Sequence, residues 1–318
     1  MKGRAKLVPC AIGAVAMAAF GLTPPAHATY PAGNGRILFA ADDGSGYQLY
    51  TVAATGADLV QITQVDGDAL SPDWSPDGSK IVFELDTRNV CLIKLMNADG
   101  TGMVNLTRQP HVCEDQPSFT PDGAHIVFER DDPATHVDGI WEMDLGGRHR
   151  HLITPGSGNG VTDPNVSPDG KTLSFIDHSG KDFGQGVYTT KMDGSDLTEV
   201  LAYKKDVAIK QDWAPDGANI VATVHADLID KPANVVTIHP DGTARRPVTH
   251  YRSLVRRAYV GSYSPNGCWI VFRLEEPGGY TLDRVHPDGT GLRVILPLSS
   301  FRPRFIDWGP DSQEQSQA

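Results

Sequence analysis

The chain has 318 residues, 40% of them hydrophobic, with 33 glycines, 23 prolines and a formal charge of −11. That apolar share excludes a disordered chain, and so acidic a protein gains nothing by releasing counterions from phosphates, which excludes general nucleic-acid binding. Gly plus Pro at about 18%, against a typical ~12%, favours many turns over long helices.

Residues 1–28 read as an export address. Met1–Lys6 is basic, Leu7–Leu22 is apolar and uncharged, and Ala26-His27-Ala28 supplies the small-x-small pattern of a cleavage site. The apolar stretch is 16 residues long with Pro9 inside it, whereas a spanning helix needs ~20. The expected mature protein is therefore secreted or periplasmic, without an integral membrane segment, and a monomer. Residues 312–318 read as a disordered tail, leaving 29–311 for the folded domain.

From here the chain repeats. Pro-Asp-Gly recurs at Pro76, Pro121, Pro168 and Pro215, and Pro265-Asn266-Gly267 and Pro310-Asp311 continue the series at spacings of 45, 47, 47, 50 and 45 residues. Before each lie a small residue and, usually, an aromatic one: Trp74, Phe119, Val166, Trp213, Tyr263, Trp308. A β-rich run such as Lys80-Ile81-Val82-Phe83 follows each complete copy. Proline early in a turn and glycine at the position needing φ > 0 make the tripeptide a hairpin signal between two strands, a and b.

A second turn lies about 22 residues further on, at Asp99-Gly100, Gly146-Gly147, Asp193-Gly194, Asp241-Gly242 and Asp288-Gly289, with Thr55-Gly56 in the first copy. Asp-Gly between apolar runs predicts a second hairpin, of strands c and d. Each unit is then a four-stranded antiparallel meander, the size of a propeller blade. Strand b occurs six times, from Arg36-Ile37-Leu38-Phe39 onward, but the first copy lacks a strand a; the chain ends with a spare one, Phe305–Asp311. The expected fold is all-β, a six-bladed propeller whose C-terminal strand completes blade 1 and removes the open sheet edge.

Trp-Ser-Pro-Asp-Gly-x-x-Ile-x-Phe followed by Asn-Ala-Asp-Gly-x-Gly-x-x-x-x-Leu-Thr resembles the PD40, or WD40-like, repeat of TolB-like six-bladed propellers, over residues ~34–311. The resemblance implies a fold and no reaction. Similar propellers accompany prolyl oligopeptidases, but no Gly-x-Ser-x-Gly elbow is present.

In such blades the a–b and c–d turns share one face, and the variable b–c and d–a loops share the other, where binding is expected. The d–a loops leaving blades 4–6 hold Lys204, Lys205, Lys210, Arg252, Arg256, Arg257, Arg302 and Arg304; those leaving blades 1–3 hold Asp66, Asp68, Glu114, Asp115 and Asp163. One reading is a dipolar surface that orients an anionic partner towards blades 4–6; the other is ordinary solvated loop charge. A polar column one residue before the aromatic, Asp73, Ser118, Asn165, Asp212, Ser262 and Asp307, reads either as a channel lining for a small ligand or Ca²⁺ or as hydrogen-bonding groups that hold blades together. No cofactor is otherwise implied, and His178 and His225 at the ends of neighbouring b strands are too far apart to share a metal ion.

Cys91 opens strand c of blade 2 and Cys113 lies in the following d–a loop, on the same face; a disulfide and two reduced thiols both remain open. Cys268 reads as a buried free thiol in strand b of blade 6. The expected function is an exported, non-catalytic binding or scaffold propeller for a protein partner or a cell-envelope polymer. The alternative is an enzyme of lactonase, lyase or glycosidase type with its site at the central channel.

Overall fold

Each Pro-Asp-Gly closes a tight turn. The Gly78 N–H donates to the Ser75 carbonyl at 2.8 Å, the Ser75 hydroxyl donates to Asp77 at 2.6 Å, and Gly78 takes φ 67°, a value that favours glycine. The same turn recurs at Gly123, Gly170, Gly217 and Gly267. In the structure, a computed structural model, residues 33–311 are described apart from 43, 45, 88–89, 110, 135–136, 157–159, 179–184, 203–209 and 226–230. The export segment and the tail lie outside the described residues.

The strands form six blades. Blade 1 takes β1 (Asn34–Asp42), β2 (Tyr47–Val52) and β3 (Val60–Gln61), and blade 2 takes β4 (Asp68–Trp74), β5 (Lys80–Asp86), β6 (Cys91–Asn97) and β7 (Val104–Asn105). Blade 3 is β8 (Cys113–Phe119), β9 (His125–Asp132), β10 (Val137–Asp144) and β11 (His151–Pro155); blade 4 is β12 (Val161–Val166), β13 (Thr172–Asp177), β14 (Gly186–Lys191) and β15 (Thr198–Leu201). Blade 5 is β16 (Gln211–Trp213), β17 (Ile220–Val224), β18 (Asn234–Ile238) and β19 (Arg246–Pro247). Blade 6 is β20 (Arg257–Tyr263), β21 (Ile270–Glu276), β22 (Gly279–Val285) and β23 (Arg293–Ser299). The last strand, β24 (Arg304–Pro310), pairs antiparallel with β1, so blade 1 has the order β24-β1-β2-β3 expected of a ring closed by its two ends. Blades 2 and 3 are also joined by one parallel bridge, Cys91 to Cys113.

The core lies between blades. Strand b is covered on both faces, so Ile81, Val82 and Phe83 are all wholly buried, and Phe39, Phe128, Phe175 and Phe272 repeat the position. Leu38 and Leu49 of blade 1 pack with Trp74, Ile81 and Phe83 of blade 2, and equivalent clusters fill the other seams. Every aromatic or valine before the Pro-Asp-Gly turn is buried there.

Candidate functional site

The polar column forms a belt around the channel. Asp307 accepts from the Trp74 N–H at 2.9 Å, Asp73 from the Phe119 N–H at 2.7 Å, Asp212 from the Tyr263 N–H at 2.9 Å and Ser262 from the Trp308 N–H at 2.8 Å. Ser118 donates to Asn165 at 3.4 Å, and Asn165 donates to the Gln211 carbonyl at 3.3 Å. Each side chain thus reaches the next blade. The structure brings Asp73, Asp212 and Asp307 to one cavity, with about 30 Å³ open to a water-sized sphere, room for a water or two.

A second cavity of the same size continues the channel towards the variable-loop face, lined by Ser71, Gln116, Asp163, Lys210 and Phe305. These residues sit three positions before the aromatic, and at Ser71, Gln116, Asp163 and Phe305 strand a bulges away from strand b. Ser71, Gln116, Asp163 and Phe305 take φ of 46°, 45°, 54° and 48° there, left-handed values that cost a non-glycine residue energy and concentrate at functional sites. Lys210, expected in a surface loop, turns into this channel and donates to Asp163 at 3.0 Å. Burial first, and then the Asp307 charge, push the carboxyls of Asp73 and Asp212 up, Asp212 to about 7; burial raises Asp307 also. Burial works against the Lys210 ammonium, but Asp163, Asp212 and Asp307 outweigh it and hold its proton affinity above the usual lysine range. Lys210 therefore supplies the positive charge that Ca²⁺ would bring to these carboxylates.

Beside this cavity lies a group of three acids, of which the sequence reading named only Asp115, as loop charge. Glu84 on β5 is buried and accepts from the Ser71 hydroxyl at 3.1 Å; Glu129 on β9 accepts from the Gln116 amide at 3.3 Å. Asp115 stands between them, and its Oδ1 is buried without a hydrogen-bond partner. Burial, then the neighbouring carboxylates, push Glu84 and Glu129 to about 8 and raise Asp115 well above the usual range. Glu84 and Glu129 each follow the phenylalanine of strand b. The same position holds Ala40, Ile176, Thr223 and Arg273 in blades 1, 4, 5 and 6. Aligning the residue after the Ile-x-Phe motif is the signal that would have found both acids and Arg273.

The expected acidic sector is partly internal. Glu114 is buried and takes Arg130 and Arg150 at 2.7 Å each, and Asp163 is paired with Lys210. The expected basic residues are scattered. Lys204 and Lys205 lie outside the described residues. Arg256 pairs with Glu276 at 2.8 Å, and Arg257 lies opposite Glu275 in the sheet. Arg302 joins Arg273 and Tyr280 at the seam of blades 6 and 1.

Arg252 lines a groove of about 520 Å³ along the outer edge of blade 5, with Lys231, Arg245, His250, His225 and Tyr251. None of the described lining residues is acidic.

Cys91 and Cys113 form a disulfide, which settles the choice left open. Cys113 opens strand a of blade 3 rather than lying in the loop before it. The only group of described residues placed to hold a metal is Cys91, Cys113 and Asp115, and its two sulfurs are already bonded to each other. Cys268 corrects the reading of a buried free thiol. It is half-buried and lies in the turn that precedes β21, not within the strand.

No protein-family model and no curated protein matches the chain. Among solved structures, TolB from Acinetobacter baumannii is similar with a TM-score of 0.72 at 22% identity, over 87% of this chain and 67% of that one. Putative TolB from Agrobacterium tumefaciens gives 0.66 at 14% identity, over 87% and 99%. Oligogalacturonate lyase from Vibrio parahaemolyticus gives 0.55 at 14%, over 86% and 80%. These likenesses establish a TolB-like propeller fold, one that serves a lyase as well as TolB.

Proposed function

We propose that the chain is an exported binding propeller that engages an anionic partner, an acidic protein segment or a cell-envelope polymer, through its variable-loop face and the adjoining rim of blade 5. The observation that carries this reading is the blade 5 groove. Lys231 from the b–c loop and His250 and Arg252 from the d–a loop meet Arg245 there, with Tyr251 as an aromatic contact and no described carboxylate in the lining. An extended chain fits a groove of this size, which neither channel cavity admits. The protein as a whole is acidic, so a polyanion bound by it must be held by local charge. An export address and the Cys91–Cys113 disulfide support an oxidising, extracytoplasmic setting.

Polyglutamate and alginate serve as protein-like and polysaccharide probes. Reversal of Lys231 and Arg252 to Glu should weaken binding at least tenfold in low salt, with the difference vanishing as salt shortens the screening length below ~8 Å. The matched reversal of Lys80 and Lys171, beside the opposite turns, should change little. Equal losses from both pairs would leave only overall charge and defeat the reading.

The enzyme reading draws on one observation, the raised carboxyls Glu84, Asp115 and Glu129 beside the channel. A carboxylic acid still protonated near neutral pH is what a general acid requires. The confined channel argues against a sugar-sized substrate reaching it. Turnover of an acidic oligosaccharide that is lost in Glu129→Gln would reverse the order of the two readings.

A further inference from the structure

The seam between blades 6 and 1 gathers three arginines around aromatic rings. Arg273, only 5% exposed, lies over Tyr259 at 4.2 Å and Tyr280 at 5.8 Å from the ring centroids, and its Nη1 donates to the Pro303 carbonyl at 3.0 Å. Pro303 sits between the other two. Arg302 also lies over Tyr280, 5.3 Å from its centroid, and Arg304 lies over Tyr47 at 5.4 Å and Phe305 at 4.8 Å. The buried Nε–H groups of Arg273 and Arg302 have no acceptor. Buried donors are normally satisfied, so two orphans at one seam point to an absent acceptor.

We propose that this seam is a binding site for a doubly charged oxyanion, a phosphate or sulfate group, held by Arg273, Arg302 and Arg304. Among the described residues none of the three guanidinium groups has a carboxylate within ion-pair distance, although ion pairs form elsewhere on this face, as at Arg256 and Glu276. Glu275 is a carboxylate whose field reaches Arg273, and it lies opposite Arg257 in the sheet. Three guanidinium groups with no described carboxylate at ion-pair distance suit a dianion better than a single carboxylate. Guanidinium forks match the oxygen spacing of phosphate and sulfate, and the tyrosine rings hold their planes in place before the ligand arrives. Burial, followed by Arg302, already lowers the proton affinity of Arg273 to about 10, the sign of positive charge without a counter-ion. The position equivalent to Arg273 holds Glu84 and Glu129 in blades 2 and 3, so the basic seam and the acidic group lie two seams apart round the ring. The site shares no residue with the blade 5 groove and stands or falls apart from it.

Calorimetry and thermal unfolding of the full chain test this with inorganic phosphate, inorganic sulfate, methyl phosphate and sodium chloride at matched ionic strength. Phosphate and sulfate should bind saturably and raise the melting temperature, while chloride should not. Methyl phosphate binding as well as inorganic phosphate would identify esters, and hence groups carried by a larger molecule, as ligands; its exclusion would confine the site to the free ion. Arg302→Gln and Arg304→Gln, at half-buried positions, should each weaken binding about tenfold, Tyr280→Leu should weaken it, and Tyr280→Phe and Arg252→Gln should leave it intact. Stabilisation matched by chloride, or unchanged in both Arg302→Gln and Arg304→Gln, would overturn the proposal.

Discussion

The indole Nε1–H of Trp308 donates to the backbone carbonyl of Gly35 at 3.2 Å, tying the last strand of the propeller to the first. Ile37 lies opposite Trp308 in the same ladder, and Leu38 opposite Asp307. Deleting residues 304–318 should expose the edge of β1 and the seam of blades 1 and 2, and should abolish cooperative unfolding. A gentler variant tests the same seam. A Cβ at Gly309 would stand 2.5 Å from the Trp74 indole, so Gly309→Ala should cost about 1–3 kcal/mol through overpacking. Denaturant titration checks both, and a truncated chain that unfolds like the full one would refute closure by the split blade.

The disulfide closes a 22-residue separation between neighbouring blades. On the chain-entropy model a loop of that length adds roughly 3 kcal/mol. Non-reducing peptide mapping should recover Cys91 joined to Cys113, and the double change to Ala should lower stability by about that amount. Recovery of either cysteine in another pairing would contradict the register of blades 2 and 3.

The pH dependence of stability should carry the mark of Glu84. Its folded carboxyl titrates at about 8 because burial, then Asp115, disfavours the anion, whereas an unfolded glutamate titrates near ~4.3. Between those values the folded state keeps a proton that the unfolded chain has released, so stability falls as pH rises from 4 to 8. Glu84→Gln keeps an oxygen to accept from Ser71 and removes the titration. It should match the parent at pH 4 and exceed it by on the order of 3 kcal/mol at pH 8. Parallel stability curves for the two proteins would show that Glu84 does not hold this proton.

Repetition made the fold legible. Five copies of a turn tripeptide, and a sixth cut short at Pro310-Asp311, fix the strand order, and the unmatched strand at each end fixes closure. The site was less legible, because its residues depart from the repeat one blade at a time and meet only across seams. Asp73, Asp212 and Asp307 announce themselves by position, but nothing local shows that each is spent on a neighbour's backbone N–H. Lys210 reads as loop charge until its ion pair with Asp163 of the neighbouring blade is seen. Arg273 sits in an apolar strand of blade 6, and its companions Arg302 and Arg304 come from the loop that enters blade 1. The Glu84, Asp115 and Glu129 group likewise comes from two blades, so no window of sequence contains it.

Lys210 is the cation on which the channel acids depend, and its removal gives the sharpest test of that arrangement. Its ammonium sits 3.0 Å from Asp163, with side-chain exposures of 23% and 12% for the two partners. Its field also lowers Asp212, Asp73 and Asp307 against the burial that raises them. Lys210→Met keeps the aliphatic stem and removes the charge, so the carboxyls should climb further above their unfolded values. The sign follows from proton uptake. Well below pH 7 the folded Asp212 keeps its proton in parent and variant alike, so the two proteins respond to pH together; as pH rises through about 7 the carboxyl ionises beside Lys210 in the parent but stays protonated in the variant. The loss should therefore grow as pH rises through neutrality. It should reach about 2–3 kcal/mol near neutrality, under the 3–5 kcal/mol of a fully buried broken pair, because water still reaches part of the lysine. Denaturant titrations of both proteins at pH 4.5 and 7.5 measure it. An equal loss at the two pH values would mean that Lys210 contributes packing rather than charge and that another cation balances the channel.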